Sequence, residues 1–175
     1  MIVLTTPRLL LRRLRPTDGP ALHALLSDPR VMRFSASGAM DLQRTTEWMD
    51  WNIRLHQTRG LGIWAAVLPD SDQFVGQVGL IPQHIDGEVE IEITYRLLPQ
   101  YWGQGLGSEA ARAVRDYGFE NLATPRLIGM IEPDNAASRR VAEKIGMRLM
   151  KQVVRGDKPA CIYAVTRKEA TQNSH

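Results

Sequence analysis

The stretch from Tyr95 to Glu109, YRLLPQYWGQGLGSE, constrains this chain more than any other. An alternating run, EVEIEITYRLL, leads into it and reads as a strand; SEAARAVRDYGFE follows and reads as a helix. Gly103, Gly105 and Gly107 stand at alternate positions where one hands over to the other. Glycine loses more backbone entropy on folding than any other residue, so this clustering needs a reason. One is that bare N–H groups approach an anion at a helix N-terminus, where the dipole favours negative charge. The other is a flexible strand–helix connection.

Patterning organises the rest of the chain. Arg8 to Leu14 reads as a first strand. Thr17 or Asp18 can cap a helix with Ala21, Leu22, Leu25 and Leu26 at helical spacing, which Asp28-Pro29 ends. Asp41 can cap a second helix carrying Leu42, Met49 and Ile53, with Trp48 and Trp51 beside them and a stop near Gly60. GIWAAVL, FVGQVGLI and EVEIEITYRLL are strands joined by short polar turns, hence antiparallel. In the last, Val89, Ile91, Ile93, Tyr95 and Leu97 face one way; Glu88, Glu90, Glu92, Thr94 and Arg96 face the other.

After the glycine loop comes a helix with Leu106, Ala110, Ala113, Val114 and Tyr117 on one face, then a strand from Arg126 to Ile131. A helix from about Asn135 ends at Gly146, and strands near Leu149–Val154 and Ala160–Thr166 close the chain. The order β-α-α-β-β-β-α-β-α-β-β describes a mixed α/β sheet, antiparallel first, with one parallel crossover. One domain is expected over residues 1–167, with 168–175, KEATQNSH, as a disordered tail.

Composition narrows the function. The 175 residues suffice for one sizeable core, and 43% hydrophobic with 23% charged residues marks a globular chain. Net charge is +3, without a dense Lys/Arg block. Arg8, Arg12, Arg13 and Arg15 fall at spacings that suit a solvated strand face, so nucleic acid is not an expected partner. A positive surface can still attract an anionic cofactor. Cys161 is the single cysteine and sits in ACIYAV, as a buried structural thiol. No disulfide and no metal framework is expected. The opening MIVLTTPRLLLRRLR has only short apolar runs, neither signal peptide nor membrane span, so a cytoplasmic location is expected.

Two familiar phosphate loops fit poorly. A nucleotide P-loop needs G-x-x-x-x-G-K-S/T, but Ser108 and Glu109 follow Gly107. A dinucleotide fingerprint needs G-x-G-x-x-G. Glu132 could imitate its ribose-binding acid, but only about 40 residues remain after it, too few for the second half of such a fold. A third loop fits better. The stretch resembles the acetyl-CoA loop of the GNAT N-acetyltransferase superfamily, Arg/Gln-x-x-G-x-Gly/Ala. YWGQGLGSEA is similar to the RimJ/RimL-like branch of ribosomal-protein-alanine acetyltransferases. TPRLLLRRLRPTDGPAL, EIEITYRLLPQYWG and PDNAASRRVAEKIGM also resemble that branch, in order, over residues 5–165. Trp102 stands where the general motif has Arg or Gln, Thr94 where Gly is frequent, and Met147 where Phe is usual.

The resemblance implies an α/β (α+β) GNAT fold. Its mixed, mostly antiparallel sheet has about seven strands, with helices on both faces and a splay between the fourth and fifth strands. It implies acetyl-CoA as cosubstrate and a primary amine as acceptor, either a protein N-terminus or a small molecule. Direct attack would occur in a ternary complex. Amides of Gly103, Gln104, Gly105, Leu106, Gly107 and Ser108 would wrap the pyrophosphate, with a side-chain contact from Gln104. Tyr95 and Trp102 would serve as walls. The pantetheine arm would pair near Ile93, Tyr95 and Leu97, touching Asn135, which also caps its helix. The Ile93 amide, or one close to it, would stabilise the oxyanion.

Ser138, on the helical face of Val141, Ala142 and Ile145, would protonate the departing thiolate; otherwise it bonds its own helix backbone. Glu92 is the candidate base, or else a solvated or salt-bridged carboxylate beside Glu88 and Glu90. Glu132 and His84 are reserves, and ordered water is an alternative. The helix bearing Trp48, Trp51 and His56, with its preceding loop, would border the acceptor. A homodimer is a possible assembly. The alternative function is a catalytically idle acyl-CoA-binding module.

Overall fold

The computed structural model describes residues 1–172. The strands are β1 Ile2–Thr5, β2 Leu10–Arg13, β3 Gly62–Val67, β4 Phe74–Ile85, β5 Glu88–Leu97, β6 Arg126–Ile131, β7 Arg148–Arg155 and β8 Lys158–Thr166. The helices are α1 Gly19–Leu26, α2 Pro29–Met32, α3 Leu42–Arg59, α4 Leu106–Asn121, α5 Ala136–Lys144 and α6 Arg167–Gln172. All strands join one sheet, ordered β1-β2-β3-β4-β5-β6-β8-β7. Among the described residues, only β5 and β6 run parallel. The mixed, mostly antiparallel GNAT-type sheet is therefore present, with one strand more than expected.

The extra strand is β1, which folds back on β2 through a turn closed by Thr6 N–H to the Leu9 carbonyl, 2.9 Å. Four residues broken by Thr-Thr-Pro give no alternation long enough to announce a strand. Two further elements differ from expectation. Pro29 opens the short α2, with Asp28 accepting from the Arg30 amide at 2.8 Å. Residues 167–172 form α6 where a disordered tail was expected from 168. Glu169 caps it, accepting from the Thr166 N–H at 2.9 Å, and Ala170 is buried. The remainder of that expected tail, 173–175, lies outside the described residues.

Strand alternation decides which side each helix covers. A Cβ on Gly107 of α4 would sit 3.8 Å from Leu97 Cδ1, and Leu80 and Leu127 pack against Gly118 of α4. The odd positions of β5 thus face α4. Arg112 and Arg115 of α4 donate to the Lys144 and Ile145 carbonyls at 2.7 and 2.6 Å, which fixes the C-terminal end of α5. On the other face, Trp48 of α3 donates to Gln77 of β4 at 3.0 Å, and Gln77 pairs with Arg96. The even positions of β5 therefore belong to the α1–α3 side.

Arg8, Arg13 and Arg15 are exposed, as a solvated face requires, but Arg12 corrects that expectation. Arg12 is 4% exposed, paired with Asp18 at 2.8 Å and with Asp72 at 2.8 Å. Spacing alone showed the strand but not the acids, which arrive from α1's N-terminal turn and from the β3–β4 turn.

Candidate active site

The chain leaves β5 through a turn of 3-10 helix at Pro99–Tyr101 and enters α4 through the glycine loop. Trp102 anchors the loop, its indole N–H donating to the Leu97 carbonyl at 2.8 Å. Gly103 and Gly105 take φ of 75° and 78°, a region costly for any residue with a Cβ. Gly107 has ordinary helical backbone, so the three glycines answer two different needs.

Among the described residues, no amide from Gly103 to Ser108 donates to a protein acceptor. The Glu109 amide, by contrast, is satisfied by the Gly105 carbonyl at 3.1 Å. No side chain caps α4. Helices usually satisfy such orphan donors locally. Here several of them open, through Gly103, Gly105, Leu106, Gly107 and Ser108, onto a cleft of about 790 Å³. The donor set fits a pyrophosphate: neutral N–H groups at the positive end of a 16-residue helix. The Gln104 side chain does not join them. It donates to the Gln100 carbonyl at 2.9 Å and does not line the cleft, so the expected side-chain contact is corrected.

The cleft exists because β5 and β6 part. They share one bridge, Glu92 to Ile128, although each is fully paired on its other side. Beyond that bridge Ile93, Tyr95 and Leu97 line one wall, and Gly129, Met130 and Ile131 the opposite one. The splay expected between the fourth and fifth strands of a seven-strand count falls here.

Helix α5 supplies the third wall. Asn135 caps it, its Oδ1 accepting from the Ser138 N–H at 3.1 Å, and both residues line the cleft. The Ser138 hydroxyl makes no hydrogen bond within the described residues, so it does not bond back to its own helix. Tyr95 donates its hydroxyl to the Ser138 carbonyl at 3.2 Å, and burial pushes its pKa up to about 12.

Glu92 sits where the strands begin to diverge, 9% exposed. Burial pushes its pKa above the ordinary carboxylate range. That push is opposed by a 2.6 Å hydrogen bond from Gln83, by the charges of Arg96 and Arg155, and by the Met130 N–H. It is therefore no solvated strand carboxylate. Of the reserves, Glu132 lines the cleft 3.6 Å from Lys158, whereas His84 is exposed on β4 outside it. Arg33, Phe34 and Ser35, just after α2, also line the cleft, but Trp48, Trp51 and His56 do not.

Two residues escaped the sequence reading. Glu109, in the first turn of α4, accepts from Thr6 Oγ1 at 2.7 Å, the Arg8 N–H at 2.9 Å and Arg8 Nε at 2.6 Å. Arg8 in turn donates to the Gln104 carbonyl at 2.8 Å. The β1–β2 turn thus braces the glycine loop from outside. A carboxylate three residues into a helix was the available signal; its partner is a hundred residues away.

A family model described as an acetyltransferase (GNAT) domain matches residues 8–148. The chain is similar to YkkB of Bacillus subtilis (strain 168): 40% identical over 161 residues, covering 91% of this chain and 93% of the relative. The crystal structure of the acetyltransferase from Agrobacterium tumefaciens str. C58 superposes with a TM-score of 0.83 at 30% identity, covering 95% of each chain. RimL, a ribosomal L7/L12 alpha-N-protein acetyltransferase in complex with coenzyme A, shares the fold. Its TM-score is 0.78 at 21% identity, over 95% of this chain and 98% of that one.

Proposed function

The chain belongs to the GNAT acetyltransferase family as an acetyl-CoA-dependent acetyltransferase, and on that premise we propose how its own residues act and what they act upon. The acceptor is a primary amine, which attacks the thioester directly in a ternary complex. The observation that carries this reading is the run of unpaired amides from Gly103 to Ser108, at the mouth of a cleft where β5 and β6 part.

Each step has a residue beside it. The loop amides hold the pyrophosphate. The open edge of β5 from Ile93 to Leu97 receives the pantetheine arm, with Asn135 at its side. A preorganised amide at Ile93 would oppose the oxyanion, a contribution of up to about 3 kcal/mol for one donor. Glu92, buried and raised in pKa, takes a proton from the bound ammonium and so frees the lone pair that attacks. Ser138 gives a proton to the departing thiolate, its hydroxyl being free of other bonds. The neutral amine forms the C–N bond as the C–S bond breaks; the nitrogen's second proton replaces the one Ser138 gives to the thiolate, and the first, taken before attack, leaves through Glu92.

The RimJ/RimL-like branch belongs to this reading, supported by Tyr101-Trp102-Gly103 and the fold shared with RimL. So do a cytoplasmic location and a homodimer, the second checked by sedimentation.

The test is amine-dependent release of free thiol from acetyl-CoA, alongside thermal unfolding. Saturation at 100 times Kd stabilises a fold by about 2.7 kcal/mol. For a chain this long the melting point should rise by roughly 5–10 °C. A shift with acetyl-CoA but no thiol release with any amine would leave only a binding module. No shift at millimolar acetyl-CoA would remove the loop assignment and everything built on it.

A further inference from the structure

Glu92, Thr94 and Arg96 follow one another on the face of β5 turned towards α1–α3, and all three line the cleft. Arg96 is the unusual member. It is half-buried, yet among the described residues it makes no hydrogen bond or ion pair with a protein group. It feels Glu92 and Arg155 only through their fields, the first supporting its charge and the second opposing it.

Neither nearby carboxylate pairs with it. Glu92 is engaged by Gln83, and Glu132 by Lys158. Two other arginines lining the cleft are occupied, whereas among the described residues the Arg155 side chain reaches only the Met130 thioether, at 3.8 Å. Arg30 pairs with Asp28 at 2.6 Å, and the Arg33 guanidinium stands 5.1 Å from the centre of the Phe34 ring. A partly desolvated guanidinium without a partner is costly, and its planar fork matches a carboxylate. The pyrophosphate is not that partner, because the loop amides and α4 lie on the opposite face of β5 from Arg96.

We propose that the acceptor amine also carries a carboxylate, which Arg96 binds while the amine lies towards Glu92. The proposal rests on the acetyl-transfer reading above and names its substrate class. Four residues along a strand span roughly 13 Å between Glu92 and Arg96. Even with both side chains reaching inward, an acceptor whose carboxylate lies several bonds from its amine fits better than an α-amino acid. The Thr94 hydroxyl lies between the two and completes a polar strip. A polycationic amine would meet Arg96 with like charge.

Two sources of such an acceptor are separable by matched pairs: 5-aminovalerate against 5-aminovaleramide, and the C-terminally amidated dipeptides Ala-Glu-NH2 against Ala-Gln-NH2. The expected result is at least a tenfold advantage in kcat/KM for the carboxylate of one pair, carried by KM. Arg96→Gln should erase the advantage and Arg96→Lys restore part of it, with acetyl-CoA affinity within about twofold of wild type. A second readout needs no turnover: glutarate, with coenzyme A present, should raise the melting point of wild type but not of Arg96→Gln. Glutarate stabilisation without thiol release from any amine would support the anion site while overturning the acetyl-transfer reading. Equal rates within both pairs, an advantage that survives Arg96→Gln, or glutarate that stabilises neither protein would overturn the carboxylate assignment.

Discussion

Tyr95 and Ser138 are joined across the cleft: the phenol on β5 donates to the Ser138 carbonyl on α5 at 3.2 Å. The bond separates two hydroxyls that could each serve the departing thiolate. The Tyr95 proton is committed to a carbonyl, and its pKa is raised to about 12, whereas the Ser138 hydroxyl is uncommitted. Ser138→Ala should therefore lower kcat more than about tenfold. Tyr95→Phe should leave kcat within about threefold while costing about 1 kcal/mol of stability. Steady-state rates and denaturant melts of the two variants decide. A reversed pattern would make Tyr95 the acid.

The glycines of the loop should respond differently to alanine. At Gly103 and Gly105, with φ of 75° and 78°, each substitution should cost roughly 1–2 kcal/mol of stability. At Gly107 the new methyl meets only Leu97, at 3.8 Å, and helix propensity improves by roughly 0.5–1 kcal/mol. Gly107→Ala should thus melt no lower than wild type, yet bind acetyl-CoA at least about fivefold more weakly, because the methyl stands at the cleft wall. Calorimetric titration checks the affinity, and unchanged binding would show that the third glycine has no part in the ligand contact.

Arg8→Met should raise the KM for acetyl-CoA by about three- to tenfold with little change in kcat, since Arg8 holds the Gln104 carbonyl and Glu109 rather than the reacting atoms. The split between the two constants is the measurement. A loss confined to kcat would place Arg8 elsewhere in the mechanism.

Glu92 should leave a signature in both rate and stability. Its folded pKa lies above the ordinary 4.5, burial being the main cause. The unfolded chain therefore gives up this proton first. The group's favourable contribution is complete below about pH 4.5 and is lost as pH rises through the raised value. Glu92→Gln should accordingly gain stability relative to wild type at pH 8 compared with pH 4, followed by chemical denaturation. If Glu92 is the base, the same change should flatten the acidic limb of kcat/KM. An unaltered limb would assign the proton transfer to water.

Asp18→Asn should cost roughly 3 kcal/mol, because it strips the nearly buried Arg12 guanidinium of its inner partner. Acetyl-CoA affinity should not change, since the pair lies outside the cleft. Melts with and without ligand give both numbers at once.

The sequence showed most of what depends on neighbours in the chain. Alternation placed β3 to β5, helical spacing and Asp41 placed α3, and the glycines marked the start of α4. It also picked out Asn135, which does cap α5 through the Ser138 amide. What it missed are meetings between distant segments. Arg12 looked solvated until Asp18 and Asp72 folded over it, and Glu109 was silent without Arg8. Glu92 was a candidate base with a solvated carboxylate as its alternative and Arg96 only a member of the same polar face, since alternation records which way a side chain points and not what covers it. Gln104 pointed the wrong way for a related reason: a flexible side chain at a loop tip found the Gln100 carbonyl nearby.

The lone rung between Glu92 and Ile128 also bears on how the molecule holds together. Strands β1 to β5 form one ribbon and β6, β8 and β7 another, stitched along that seam at one point. A molecule laid into the gap would act as a keystone, coupling two ribbons that otherwise share one rung. Amide exchange at Ile93 to Leu97 and Gly129 to Ile131 should then slow far more on loading than exchange within either ribbon. The cosubstrate would enter the chemistry and leave it, and for as long as it stays it would be part of the architecture.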